Sequence, residues 1–124
     1  MPQRPADQRF RRRERLSRRR DFALVYAARR RKENDLLVVY VQDNTLACSR
    51  LGISVSRRVG KAVLRNRLRR RLRETYRTHK RDVPVGLDIV CVIKPPAARE
   101  PSRLCASLVP LILQAARKSP ATRR

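Results

Sequence analysis

The chain has 124 residues, and its 33 Lys and Arg against 10 Asp and Glu give a formal net charge of +23. This length suits one compact domain with a modest core. Such a charge excess disfavours the compact state through self-repulsion unless a polyanion neutralises it. Nucleic acid is the commonest polyanion that carries enough charge. An anionic membrane surface is the alternative, although no apolar run approaches the roughly 20 residues that a membrane span needs.

Both ends of the chain are polar and basic and lack periodicity. We expect residues 1–15 to form a disordered arm and residues 118–124 a disordered tail, around a folded domain over residues 16–117. No apolar stretch follows the basic start, which therefore does not resemble a secretory signal. An arginine-rich organellar transit peptide is disfavoured because Asp7 and Glu14 are present and serine is scarce.

The cysteines and the histidine indicate a reducing compartment rather than a metal site. Cys48, Cys91 and Cys105 are odd in number and widely spaced, and the single histidine is His79. The absence of a CxxC pair excludes the usual zinc spacings. We therefore predict three free thiols, no bound metal and a cytoplasmic protein.

The first half of the chain predicts one helix and two strands. Ser17 is a candidate N-cap for a helix with Phe22, Val25 and Tyr26 at helical spacing. Residues 29–35 are charged and predict a loop. Residues 36–41 form a β-branched apolar run typical of a buried strand. In residues 51–56, Leu, Ile and Val alternate with Gly52, Ser54 and Ser56, as in a strand with two different faces.

The second half predicts a helix, a strand and a last helix. The helix spans about 61–80, and a turn at 82–86 leads to an apolar strand at 87–93. The last helix starts at 101–102, and Pro110 is expected to kink it. This order predicts a single-domain α+β sandwich, with helix, strands, helix, strand and helix along the chain.

The helix at 61–80 has a narrow apolar stripe and an unusually basic remainder. Leu64, Leu68, Leu72 and Tyr76 lie four apart, and arginine fills the neighbouring rows. Like charges at i, i+4 destabilise a helix by about 0.2–0.5 kcal/mol each, so the four arginine pairs sum to roughly 1–2 kcal/mol. Glu74 is expected to offset part of this through Arg70. Bound phosphate would replace this repulsion between arginines with attraction, because guanidinium groups form bidentate contacts with phosphate.

RNA is favoured over duplex DNA as the polyanion. No helix-turn-helix, zinc-finger or basic-zipper pattern is visible. Asn66 lies among the arginines, where an amide can contact a base edge or a 2′-hydroxyl. Phe22 and Tyr26 share a helix face and Tyr40 ends a strand, beside small residues that could leave an open floor for single-stranded RNA stacked on the rings. The alternative places these rings in the core.

Residues 56–74, SRRVGKAVLRNRLRRRLRE, closely resemble the signature of the protein subunit of bacterial ribonuclease P. The flanks are similar as well, in the opening helix with Asp-Phe (15–26), the first strand (37–40) and the last strand (89–97). The resemblance covers about residues 15–117. One departure is Tyr26, where the family pattern often has Phe, and an aromatic ring is retained there.

The resemblance implies that this chain is a subunit of an endoribonuclease whose RNA subunit cuts the 5′ leader from precursor tRNA with Mg²⁺. It implies no catalytic residue in this chain, no obligate protein partner and a left-handed strand–helix–strand crossover. The leader would bind in a cleft containing Phe22, Tyr26, Tyr40 and Ser54. The ribonuclease P RNA would bind Arg57, Arg58, Lys61, Arg65, Asn66, Arg67, Arg69, Arg70 and Arg73.

Two other classes remain open from the residues alone. A small basic ribosomal protein or RNA chaperone would have the same composition, and a nucleoid DNA-binding protein is a second competitor. The ten acids are scattered and His79 has no evident nucleophile partner, so the residues themselves favour a binding protein over a protein-only nuclease.

Overall fold

The computed structural model describes residues 10–117. Three α-helices, α1 (Arg19–Ala28), α2 (Ala62–Thr78) and α3 (Pro101–Arg117), surround four strands, β1 (Arg30–Glu33), β2 (Leu37–Asp43), β3 (Arg50–Val55) and β4 (Leu87–Ile93). Short 3₁₀ turns at Arg12–Glu14, Arg57–Val59, Lys80–Asp82 and Pro95–Arg99 join them. The predicted α+β class is confirmed, and the predicted tail at 118–124 lies outside the described residues.

The four strands form one sheet in the order β1-β2-β4-β3. β2 pairs antiparallel with both β1 and β4, whereas β3 pairs parallel with β4. Because parallel strands need a crossover connection, α2 joins β3 to β4 across one face of the sheet. The handedness of this crossover stays a prediction.

Alternating side chains divide the sheet into two apolar layers. The larger layer lies under α2 and α3 and includes Ile89, Cys91 and Ile93 of β4. The smaller layer lies under α1, where Val90 packs with Leu16 and Val25. The sheet is therefore covered on both faces, and the apolar residues of β4 contribute alternately to one layer or the other.

The predicted alternation in β3 is confirmed. Leu51 and Val55 are in the larger core, with Ile53 packed against it. Gly52 and Ser54 point to the opposite face, under α1, where Gly52 lies against the Phe22 ring. The small residues of β3 therefore lie under the first helix, as the sequence predicts.

Two local predictions were wrong. The charged segment predicted as a loop contains β1, because its backbone pairs with β2 at the sheet edge although its side chains are polar. Ser17 does not cap α1, whose N-cap is Arg18 without a side-chain hydrogen bond. Arg29 ends α1 in the left-handed conformation at φ 58, which lets β1 begin at the next residue.

The expectation of a disordered arm is corrected for residues 10–15. Arg12–Glu14 forms a 3₁₀ turn, Glu14 is buried and Phe10 packs against the larger core. These contacts join residues that are distant in the chain, so the local sequence pattern does not predict them. The rest of the predicted arm, residues 1–9, lies outside the described residues.

Candidate nucleic-acid interface

α2 is anchored by the apolar stripe that the sequence predicts. Leu68, Leu72 and Tyr76 are buried in the larger core, and Leu64 packs against it. Burial raises the pKa of the Tyr76 hydroxyl, because the interior disfavours the phenolate. With one narrow face committed to the core, the remaining rows of α2 carry the arginines.

The segment before α2 is shaped by local hydrogen bonds. The Ser56 hydroxyl oxygen accepts from the Arg58 backbone N–H at 3.2 Å, and the Gly60 carbonyl accepts from Arg65 Nε at 3.0 Å. Gly60 has φ 154, and a Cβ there would lie 2.7 Å from Leu64 Cδ2. The backbone angle therefore favours the signature glycine, and a side chain there would also displace the end of the Leu64 side chain.

The residues expected to bind the large RNA lie on α2 and on the turn before it, and are called here the arginine face. Most are exposed, whereas Arg65 and Arg69 are half-buried. The arginine face consists of Arg57, Arg58, Lys61, Arg65, Asn66, Arg67, Arg69, Arg70 and Arg73. Their position on α2 and on the turn before it follows directly from the leucine stripe.

Polar contacts within α2 fix some of these side chains. Arg69 Nη1 donates to Asn66 Oδ1 at 2.7 Å, which orients the amide among the guanidiniums. Glu74 forms its ion pair with Arg77 rather than with Arg70 as predicted, because an i, i+3 partner reaches the carboxylate instead of the i−4 one. Arg70 is exposed and lies on the same helix without that neutralising contact.

Arg73 lies in an unfavourable electrostatic environment. Partial burial lowers the pKa of its guanidinium, and the nearby charges of Arg15 and Arg69 lower it further. The group remains a cation, because arginine titrates far above physiological pH. Its environment is therefore one that a bound anion would relieve.

Phe22, Tyr26 and Tyr40 form a second surface, called here the aromatic wall. The Phe22 and Tyr26 ring centroids are 6.4 Å apart, and those of Tyr26 and Tyr40 are 4.8 Å apart, both edge-to-face. Burial raises the pKa of Tyr26, and the nearby Ser54 side chain opposes part of that shift. The structure thus brings together all four residues assigned to the leader cleft.

The prediction that the small residues of β3 leave open space beside these rings is wrong at Gly52. A Cβ on Gly52 would lie 2.5 Å from Phe22 Cζ and 3.0 Å from Leu16 Cβ, so the Phe22 ring covers this position. Phe22 is half-buried against the smaller core, whereas Tyr26 is 36% exposed. Tyr26 is therefore the most exposed of the three residues of the aromatic wall.

Sequence reasoning missed Arg31 beside the aromatic wall. Arg31 Nη1 donates to the Tyr40 hydroxyl at 3.0 Å, and its guanidinium lies 5.5 Å from the centre of the Tyr40 ring. Arg31 also pairs with Glu33, which raises the arginine pKa. The β1–β2 register that sets Arg31 opposite Tyr40 could have revealed this contact, but β1 itself was not predicted.

Within residues 10–117, no group of three or more His, Cys, Asp and Glu side chains is placed to hold a metal ion. His79 Nδ1 lies 2.9 Å from the Thr75 carbonyl oxygen and 3.1 Å from Thr78 Oγ1, at the end of α2. None of the described helices has the length and apolar character to cross a membrane.

Comparison with known proteins gives a consistent result. The family model described as Ribonuclease P matches residues 10–116. The ribonuclease P protein component of Desulfovibrio desulfuricans is 42% identical over 113 residues, covering 86% of this chain and 85% of that one. The corresponding protein of Thermotoga maritima is 43% identical over 95 residues, covering 77% and 81%.

Solved structures agree. The chain superimposes on the Staphylococcus aureus RNase P protein with a TM-score of 0.74 at 33% identity, covering 83% of this chain and 94% of that one. For the Thermotoga maritima RNase P protein the TM-score is 0.69 at 38% identity, with coverages of 81% and 92%. The similarity thus extends over nearly the whole length of both solved proteins.

Proposed function

Because the chain belongs to the ribonuclease P protein family, we propose that it is the RNA-binding subunit of ribonuclease P, the endoribonuclease that removes the 5′ leader from precursor tRNA. The arginine face binds the ribonuclease P RNA, and the aromatic wall holds the single-stranded leader. The observation that carries the proposal is their junction at the end of β3. Ser54 lies beside Tyr26, and Ser56, two residues later, begins the turn into the arginine face.

The arginine face supplies affinity for a structured RNA. Its guanidiniums offer forked donors to phosphate oxygens, and their mutual repulsion falls when phosphate binds. Arg67 and Arg70 are exposed and lie outside the buried stripe. Asn66 is held by Arg69 within this surface, where its amide N–H groups remain donors for a base edge or a 2′-hydroxyl.

The aromatic wall suits a strand of variable sequence. Stacking of a base on an aromatic ring contributes roughly 1–3 kcal/mol and is tolerant of sequence, since every base has a π face. Tyr26 is partly exposed and Tyr40 is half-buried, so both rings keep surface for such a contact. A protein that meets many different leaders needs this kind of recognition.

We further propose that the cleavage chemistry, with its Mg²⁺ ions, belongs to the RNA subunit. The arginine face does not fit Mg²⁺, which takes oxygen ligands, because its members are cations apart from Asn66. The Asn66 carbonyl oxygen already accepts a hydrogen bond from Arg69. The chain acts by binding and orienting RNA, in the reducing cytoplasm that its free thiols favour.

Reconstitution tests this proposal. Protein freed of RNA should leave precursor tRNA intact at every Mg²⁺ concentration. When a bacterial ribonuclease P RNA is added, the protein should lower the KM for precursor tRNA. The cut should then occur at the junction between the leader and the mature tRNA. Site-specific cleavage by the protein alone contradicts the assignment of the chemistry. Equal effects on precursor and mature tRNA would instead favour a general RNA chaperone.

A further inference from the structure

The segment before α1 is fastened across the edge strand β3. The Leu16 backbone N–H donates to the Leu51 carbonyl at 2.9 Å, and Arg15 pairs with Leu51 as an isolated parallel bridge. The Leu16 side chain is buried in the smaller core. Residues 10–16 are called here the clasp, because they also reach α2 on the other side of the sheet.

Two contacts hold the clasp against the C-terminal end of α2 and the 3₁₀ turn that follows it. The Glu14 carboxylate, in a residue only 6% exposed, lies 2.9 Å from Lys80 Nζ and accepts from the Arg11 backbone N–H at 2.7 Å. The Phe10 and Tyr76 ring centroids are 5.7 Å apart in an edge-to-face pair. A buried ion pair and a ring contact therefore fix the backbone on either side of the 3₁₀ turn.

The ring contacts bring Arg15 toward α2, because Phe10 packs on Tyr76, which lies three residues after Arg73 on that helix. The Arg15 guanidinium lies 5.1 Å from the centre of the Phe10 ring, which limits its freedom. Its charge acts on Arg73, as does the charge of Arg69. Within the described part of the chain, none of these three guanidiniums forms an ion pair with a carboxylate. Three like charges beside a partly buried surface repel one another until an anion joins them.

We propose that Arg15, Arg69 and Arg73 form a binding site for a backbone phosphate of RNA, which makes the clasp part of the RNA interface. The proposal rests on the proposed function for the identity of that RNA. The phosphate belongs to the ribonuclease P RNA or to the precursor tRNA, and both present the same phosphodiester group. The exposed Arg12 and Arg13, on the turn that the clasp holds, extend the same basic surface.

Binding measurements on Arg15→Ala test the site. Affinities of the full-length variant for ribonuclease P RNA and for precursor tRNA are measured over a range of salt concentrations. Loss of a charge-assisted phosphate contact should weaken one of them by about tenfold or more. The slope of log K against log salt should fall in magnitude by about one. The RNA that is affected identifies the source of the phosphate.

Three further variants sharpen the comparison. Arg103→Ala removes one positive charge from an arginine already paired with Asp35 and Glu100, so both affinities should stay within about twofold of the native values. The double variant Arg15→Ala with Arg73→Ala should lose less than the sum of the two single losses, because both residues contact one phosphate. Arg15→Lys keeps the charge and should retain most of the salt slope.

The outcomes separate this inference from the proposed function. If Arg15→Ala and Arg15→Lys bind both RNAs as tightly as Arg103→Ala while Arg67→Ala binds weakly, the phosphate site is wrong and the proposed function stands. Full additivity of Arg15→Ala and Arg73→Ala also overturns a shared phosphate. If the native protein binds neither RNA, the proposed function fails and the inference fails with it. A melting curve for each variant excludes unfolding as the cause.

Discussion

The Tyr26 ring meets the Tyr40 ring edge-to-face at 4.8 Å, which couples α1 to β2 through two side chains that both keep exposed surface. An edge-to-face pair contributes about 0.5–1.5 kcal/mol beyond its buried area. The pair therefore orients the rings without withdrawing them from solvent, and a base can still reach them.

Tyr26→Ala should separate leader binding from folding. Because Tyr26 is 36% exposed, its truncation should cost less than the roughly 3–5 kcal/mol of a buried aromatic residue. Precursor tRNA binding should weaken by roughly 1–3 kcal/mol, with mature tRNA binding unchanged. Melting curves and both affinities check this. Leu24→Ala is the matched control, since Leu24 is exposed on the same helix and outside the aromatic wall. Equal weakening of precursor and mature tRNA binding would contradict the assignment of the aromatic wall to the leader.

Arg67→Ala tests the arginine face with little structural side effect. Arg67 is exposed, whereas Arg65 also donates to the Gly60 carbonyl and so supports the entry into α2. Affinity for ribonuclease P RNA should fall by roughly 1.5–3 kcal/mol if the contact is buried in the complex. The melting temperature should be unchanged or slightly higher, because like-charge repulsion on the helix decreases. Normal RNA binding by this variant in moderate salt would contradict the assignment.

Gly52→Ala should disturb the aromatic wall from beneath. The new methyl group would meet Phe22 Cζ at 2.5 Å, so the Phe22 ring must move. Overpacking of this kind costs typically about 1–3 kcal/mol of the free energy of unfolding. Precursor tRNA affinity should drop while affinity for the ribonuclease P RNA persists. Ser54→Ala, on the same face of β3, is the comparison variant, because it changes this face without adding volume. A Gly52→Ala protein with the native melting temperature would show that the Phe22 ring moves freely.

Cys91 should resist alkylation in the folded protein. Its side chain is fully buried, and burial raises the pKa of the thiol, so the reactive thiolate is disfavoured at pH 8. Cys48 and Cys105 are half-buried and accessible by comparison. Mass spectrometry after iodoacetamide treatment should find at most two modified thiols in the native state and three in denaturant. Rapid modification of Cys91 in the native protein would contradict the described core.

The main elements were predictable because their signals are local. The β-branched runs at β2 and β4 and the four-residue spacing of Leu64, Leu68 and Leu72 report burial directly. β1 was missed because its sequence, RRKE, has no apolar residue and is set by pairing at the sheet edge. No single-sequence pattern encodes that pairing.

The candidate site was predictable in part for the same reason. Phe22 and Tyr26 lie four apart on one helix, so their shared face follows from helical periodicity. The Glu14–Lys80 ion pair joins residues 66 positions apart, and Phe10 contacts Tyr76 across a similar distance in the chain. These contacts depend on the completed fold, which is why an ordered clasp looked like a disordered arm.

The central claim, that this chain binds the RNA of ribonuclease P, is tested most directly by the RNA it captures. Tagged protein is cross-linked to RNA in bacterial cells, recovered, and the bound RNA is sequenced beside an Arg67→Ala control. The account predicts that ribonuclease P RNA is the dominant species, that precursor tRNAs with their leaders are enriched over mature tRNAs, and that the control loses the large RNA. Ribosomal RNA as the dominant species, with ribonuclease P RNA at background, would contradict it.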